Sequence, residues 1–134
     1  MIESKDLRIG NYVDYEATTH VISAIGHTES WSYWLKNKTG SNDEYLHQNS
    51  ELKPIAITDE WLIKFGFKIS STGFIEKGRL LYHKEYGWKI LENWVKGWVG
   101  VTEIIYVHQL QNLYFALIGV ELVAEPTQIT QTIN

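Results

Sequence analysis

The stretch from Tyr106 to Gly119 constrains the fold most, because its apolar residues recur at helical spacing. On a helical wheel of about 100° per residue, one arc holds Val107, Leu110, Leu113, Tyr114, Leu117 and Ile118. Glycine readily adopts the left-handed conformation that ends helices. We therefore predict an amphipathic helix over 107–118 that docks on a core and stops at Gly119.

One polar residue enters this apolar arc. Gln111 projects into its edge, whereas His108, Gln109 and Asn112 fall on the opposite face. An unpaired buried amide costs about 1 to 3 kcal/mol, so Gln111 needs a hydrogen-bond partner. That partner is either a backbone carbonyl of a neighbouring strand or a bound ligand or protein.

Three blocks of the chain resemble a known group of proteins. They are Tyr106-Val107-His108-Gln109-Leu110-Gln111-Asn112-Leu113-Tyr114, Asp6-Leu7-Arg8-Ile9-Gly10-Asn11-Tyr12-Val13 and the stretch from Pro54 to Phe67. Together they resemble small uncharacterised proteins encoded in phages and prophages of Bacteroidetes. The chain departs from that pattern at Ile118 and Val120, where polar residues are usual. The resemblance implies a phage-related origin and no known activity.

The composition is that of an ordinary globular protein. The 134 residues are 44% hydrophobic and 21% charged, with a net charge of −4 and no cysteine. Such a chain can bury a core in one domain, and it can form neither disulfides nor cysteine-ligated zinc. The scattered basic residues disfavour nucleic acid as a partner. Without an apolar leader or membrane span, we expect a location in the cytoplasm of the bacterial host.

Short β-rich runs occupy residues 1–57. They alternate apolar and polar residues or are rich in β-branched and aromatic ones, and they are Asn11 to Tyr15, His20 to Ile25, Trp31 to Lys36, Glu44 to His47 and Leu52 to Ile55. Ala17-Thr18-Thr19 separates the first two runs. We predict a small barrel-like, SH3-like unit.

Residues 58–123 predict a helix, an antiparallel sheet and the C-terminal amphipathic helix. Thr58 is a favourable N-cap, and Gly66 a favourable C-terminal stop with Phe67 folding back. Turn residues separate five further runs, namely Phe67 to Ser70, Phe74 to Glu76, Arg79 to His83, Trp88 to Asn93 and Val101 to Tyr106. The fold class is thus α+β, with a polar tail over 124–134 and both units in one compact domain.

No catalytic motif is present. The chain lacks a phosphate-binding glycine loop, a His-Glu-x-x-His pair and a nucleophile elbow. Its five histidines have no ligand spacing. We expect no catalytic residues, no metal and no cofactor, although an enzyme site assembled in space from a histidine and a carboxylate remains the last-ranked alternative.

The tryptophan content is the main functional signal. Six tryptophans occur, and Trp88, Trp94 and Trp98 crowd into one segment with Lys89 and Lys96. Exposed rings beside lysines would suit an anionic ligand with a flat ring, such as a nucleotide. A tryptophan-rich core is the competing interpretation for this segment, and a core position is favoured more strongly still for Trp31, Trp34 and Trp61.

The function that we predict is non-enzymatic binding. We predict a phage-derived accessory protein that binds or sequesters a small ligand, such as a nucleotide signal, to counteract host defence. Its predicted ligand-binding residues are Trp94, Lys96, Trp98, His108, Gln111 and Asn112. The alternative is a protein-interaction module or homo-oligomer that uses a tryptophan and tyrosine surface.

Overall fold

The computed structural model describes residues 6–27, 31–37, 43–46, 52–93, 97–100 and 103–124. Within them lie two antiparallel sheets and two helices. The strands of the first sheet are β1 (Tyr12–Tyr15), β2 (Thr18–His27), β3 (Trp31–Asn37) and β4 (Asp43–Leu46), in that order. The predicted α+β class and antiparallel pairing are therefore confirmed.

The first sheet is open in the part of the chain that the structure describes. β1 and β4 lie at its opposite edges, so the predicted barrel closure is not observed. The predicted fifth strand, Leu52 to Ile55, makes instead a single antiparallel bridge between Lys53 and Asp14. A smaller core covers this sheet, formed by the buried residues Leu7, Val13, Ile22, Tyr33, Leu35 and Leu52.

The turn between β1 and β2 differs from the predicted Ala17-Thr18-Thr19. Tyr15 pairs with Thr18, so only Glu16 and Ala17 form the turn. Their φ angles are 52° and 63°. Positive φ at both central residues is the geometry that matches the twist of a two-residue hairpin, and it overrides the poor preference of these residue types.

The second sheet is a five-stranded meander. Its strands are β5 (Lys68–Ile69), β6 (Ile75–Lys77), β7 (Leu80–His83), β8 (Gly87–Asn93) and β9 (Gly97–Gly100), again in chain order. The predicted last strand, Val101 to Tyr106, is corrected: β9 comes earlier, and Glu103 to Ile105 are not in a strand. β9 begins and ends with glycine, a residue that weakens strand interiors and often marks where a strand stops.

Helix α1 (Asp59–Lys64) begins and ends as predicted. The Thr58 hydroxyl accepts a hydrogen bond from the Trp61 N–H at 3.3 Å. At the other end the Phe67 N–H donates to the Leu62 carbonyl and the Gly66 N–H to the Ile63 carbonyl. Gly66 has φ 91°, which completes the Schellman arrangement of a helix end.

Helix α2 (Val107–Ile118) ends at Gly119 with φ 82°, as predicted. Its apolar face packs on the larger core with α1 and the inner face of the second sheet. Val107 and Leu110 are fully buried in this core, whereas Leu113 and Leu117 are only partly buried. The segment 53–57 links the first sheet to the start of α2. It forms backbone hydrogen bonds with Asp14 in β1 and with Ile105 and Val107.

Candidate functional site

Gln111 is fully buried, and its amide is satisfied inside the protein. Its Oε1 accepts the backbone N–H of Tyr12 at 2.9 Å, and its Nε2 donates to the carbonyls of Gly10 at 2.9 Å and Leu122 at 3.3 Å. These carbonyls belong to the segments that flank β1 and α2 rather than to a strand interior. The amide therefore needs no ligand to complete its hydrogen bonds.

Asn112 belongs to the same junction. Its Oδ1 accepts from Arg8 Nε at 2.7 Å and from Asn11 Nδ2 at 3.0 Å, and its Nδ2 donates to the Asp6 carbonyl at 2.7 Å. The Arg8 guanidinium also pairs with Glu121 at 2.7 Å and lies 4.6 Å from the centre of the Phe115 ring. We call Arg8, Asn11, Gln111, Asn112 and Glu121 the polar junction. It joins the 6–13 and 106–114 blocks.

His108 lies on the same helix but is only 4% exposed. Removal of the imidazole from water lowers its pKa, and the negative charge of Asp6 partly opposes that shift. Its ring stacks on Tyr106 with 6.0 Å between centroids, and Nδ1 is a buried atom with no hydrogen-bond partner among the described residues. Such a neutral, buried ring contributes packing to this helix face.

The other predicted binding residues lie largely outside the described residues. Trp94 and Lys96 lie outside the described residues, and for Trp98 only its backbone position in β9 is described. The binding role of Trp94, Lys96 and Trp98 stays a prediction. The structure does describe the backbone and side chain of Lys89, which belongs to the same segment of the sequence.

The remaining tryptophans divide between core and surface. Trp88 is 5% exposed and belongs to the larger core, against which Trp61 also packs. Trp31 and Trp34, however, are 39% and 43% exposed, so the core interpretation is wrong for these two. Tyr33 and Leu35 take the inward positions of β3 and are fully buried.

The second sheet has an outer face, opposite the one that packs on α2. Cross-strand pairing aligns Lys68 with Glu76, Glu76 with Leu81, and Leu81 with Lys89. Since residues directly opposite each other point to the same side of a sheet, these four side chains form one row. Their neighbours Ile75, Leu80 and Trp88 point inward and are buried.

An aromatic cluster lies beside this row, where the β5–β6 and β7–β8 turns meet the sheet. Phe74 and His83 lie 4.7 Å apart between ring centroids, His83 and Tyr86 4.8 Å, and Phe74 and Tyr86 6.5 Å, the last two planes being within 16° of parallel. We call Phe74, His83 and Tyr86 the aromatic triad. Tyr86 is 62% exposed, which leaves ring surface available for stacking.

Two members of the aromatic triad, Phe74 and Tyr86, and three of the row, Glu76, Leu81 and Lys89, border a shallow, open groove of about 650 Å³. Its lining residues are Ser70, Thr72, Phe74, Glu76, Leu81, Tyr86 and Lys89. That volume falls in the range of about 300 to 1,000 Å³ that is usual for small-molecule sites. Nothing in the sequence alone could place this groove, because its residues come together only through the pairing of four strands.

Two smaller hollows are less suited to a ligand. One of about 230 Å³ lies between α1, the second sheet and Ile104-Ile105, with Tyr82 and Trp88 in its wall. Another of about 300 Å³ lies beside Lys77, Tyr114 and residues 120–123. Each is at or below the lower end of the usual range.

The described part of the chain holds no group of three or more His, Asp or Glu side chains arranged for a metal ion. Neither α1 nor α2 has the length and apolar character needed to cross a membrane.

Comparison of the chain with protein-family models, with curated proteins and with solved structures gives no match.

Proposed function

We propose that the protein binds a small ligand with a flat ring and an anionic group in the groove on the outer face of the second sheet. The observation that carries the proposal is the combination, within one groove, of an exposed aromatic ring, Tyr86, and a lysine, Lys89. Stacking on an aromatic side chain contributes about 1 to 3 kcal/mol per ring. An ammonium group supplies the complementary charge for an anion.

The side chains of Glu76 and Lys89 support this assignment. Neither Glu76 nor Lys89 makes an ion pair or a side-chain hydrogen bond with another described residue. Lys89 is partly buried in the sheet face, so its amine is held close to the groove. By contrast, the amides of Gln111 and Asn112 already bond the protein. The groove is thus a better candidate than the polar junction.

The biological role that we propose rests on the resemblance to phage and prophage proteins described above. A phage-related accessory protein that sequesters a nucleotide signal of the host would need a ring-stacking anion site and no catalytic groups. Trp94, Lys96 and Trp98 are retained as proposed binding residues on the strength of the sequence alone.

Calorimetric titration tests the proposal. The protein is titrated with nucleoside 5′-monophosphates and with indole-3-carboxylate, and the titrations are repeated with Tyr86→Ala and Lys89→Ala. We expect at least one of these compounds to bind, and we expect Tyr86→Ala to weaken it about 5- to 150-fold. Tyr86→Phe should retain the affinity, because it keeps the ring.

Matched controls lie on the first sheet. Trp34→Ala removes another exposed aromatic ring and Lys36→Ala an exposed lysine, and neither should change the affinity. Melting temperatures of all variants should stay within a few degrees of the parent, since the altered side chains are partly or largely exposed. No binding by any compound, or binding unchanged in both groove variants, would overturn the proposal.

The exposure of Trp31 and Trp34 favours a second candidate, self-association through the first sheet. Tryptophan is a frequent anchor of protein interfaces. Sedimentation velocity would show a dimer that Trp34→Ala dissociates, whereas a monomer at all concentrations would exclude this candidate.

A further inference from the structure

We infer that the ring recognised in the groove is guanine, read by the carboxylate of Glu76, and that the ligand is a guanine nucleotide. This inference rests on the proposed function, since it names the ligand class of the same groove. Three observations lead to it: the chemistry of Glu76, its separation from Lys89, and the absence of a partner for either residue among the described residues.

Glu76 and Lys89 offer opposite hydrogen-bonding chemistry. An ionised carboxylate only accepts hydrogen bonds, and an ammonium group only donates them. The ligand must therefore present N–H donors to one end of the groove and an anion to the other. Leu81 stands between the two residues in the same row and gives an apolar floor on which a ring can rest.

The spacing of the row fits a nucleotide. Two strand spacings separate Glu76 from Lys89, which places their Cα atoms about 9 to 10 Å apart. A ring bonded to Glu76 is thus separated by a sugar-sized gap from an anion at Lys89. Phe74 and Tyr86 border the same groove at the β5–β6 and β7–β8 turns, where they can cover a ring face.

Guanine matches a carboxylate better than the other bases do. Its N1–H and its 2-amino group are adjacent donors that meet the two carboxylate oxygens side by side. Adenine places the unprotonated N1 beside its amino group, so one carboxylate oxygen would face a lone pair. Hypoxanthine keeps the N1–H but lacks the amino group, and uracil flanks its single N–H with carbonyl oxygens.

Charge along the row agrees with a nucleotide that carries few phosphates. Lys68 lies directly opposite Glu76, and Lys89 lies two strands away on the other side. Lys68 does not line the groove, so Lys89 is the one lysine among the described lining residues and supplies a single positive charge for the anion. A monophosphate is for this reason the probe of choice.

The test compares GMP, IMP and AMP by calorimetric titration of the parent and of Glu76→Gln. We expect GMP to bind about tenfold or more tightly than AMP, with IMP between them, as for one bidentate base contact. Glu76→Gln should remove the preference while keeping residual nucleotide binding. Glu85→Gln, an exposed carboxylate change in the β7–β8 turn outside the groove lining, should preserve it.

The outcomes separate this inference from the proposed function. Equal affinity for the three nucleotides, with loss in Tyr86→Ala, overturns the guanine assignment and leaves the groove as a ligand site. Binding of indole-3-carboxylate without any nucleotide has the same consequence. A GMP preference that survives in Glu76→Gln rules out Glu76 as the reader, and no binding by any compound overturns both proposals.

Discussion

The side-chain oxygen of Gln111 accepts the backbone N–H of Tyr12 at 2.9 Å, across a sequence separation of 99 residues. This bond fastens the start of β1 to the middle of α2. Gln111 and Asn11 are both fully buried, so water does not reach this part of the polar junction, whereas Arg8 and Glu121 at its rim are partly exposed. Its hydrogen bonds therefore fix the position of the N-terminal segment on the helix.

Replacement of Gln111 by Leu should destabilise the protein by about 1 to 3 kcal/mol, because the Tyr12 N–H and the Leu122 carbonyl would lose their buried hydrogen-bond partner. Urea unfolding of the variant measures the loss. Ala116→Ser on the exposed side of the same helix is the control and should change the stability by no more than about 0.5 kcal/mol. Equal stability of Gln111→Leu and the parent would show that the amide is not needed there.

Arg8 and Glu121 should couple measurably. Their contact at 2.7 Å is charge-assisted, but the side chains are 31% and 37% exposed, so solvent weakens it. A double-mutant cycle with Arg8→Ala and Glu121→Ala should give a coupling energy of about 0.5 to 1 kcal/mol. The same cycle for the more exposed pair Lys64 and Glu60, at 3.3 Å, should give less. A larger coupling energy for Lys64 and Glu60 than for Arg8 and Glu121 would contradict this prediction.

Ala17→Gly should stabilise the protein. The φ of 63° at Ala17 is a left-handed conformation that costs an L-residue about 1 to 2 kcal/mol, and glycine avoids that cost at some loss of chain entropy. We expect a net gain of about 0.5 to 1 kcal/mol in thermal or urea unfolding. Ala116→Gly within α2 is the opposite case and should cost about 1 kcal/mol. Destabilisation by both changes would contradict the turn geometry.

His108 should make stability depend on pH. Burial lowers its pKa, and Asp6 only partly offsets this. As the pH falls through the ordinary imidazole value of about 6.5, the unfolded chain binds a proton that the folded chain does not. Stability is thus lost toward pH 5, by at most about 1.4 kcal/mol per pH unit for one proton. His108→Leu should flatten the curve between pH 7 and 5, and parallel curves would exclude this role.

Local patterns in the sequence predict local structure well here. The helical spacing of Val107 and Leu110 predicts α2, and Thr58 with Gly66 predicts both ends of α1. These features depend on residues within a turn or two of each other. Turn residues also predict most of the antiparallel pairs.

Features that depend on distant pairing are not predictable in this way. The sequence places Gln111 at the edge of a buried face but cannot identify Tyr12 as its partner. Glu16 and Ala17 take positive φ only because the strands on either side pair. The exposure of Trp34 and the row from Lys68 to Lys89 likewise depend on which strand lies beside which, so the groove becomes apparent only in the folded chain.

NMR mapping of a GMP titration tests the groove most directly, since it locates binding without assuming any mutant effect. In ¹H–¹⁵N spectra we expect the largest changes at the backbone amides of Phe74, Glu76, Tyr86 and Lys89, with saturation as GMP is added. Changes confined to residues 94–98 or 108–112, or no saturable change, would contradict the proposed site.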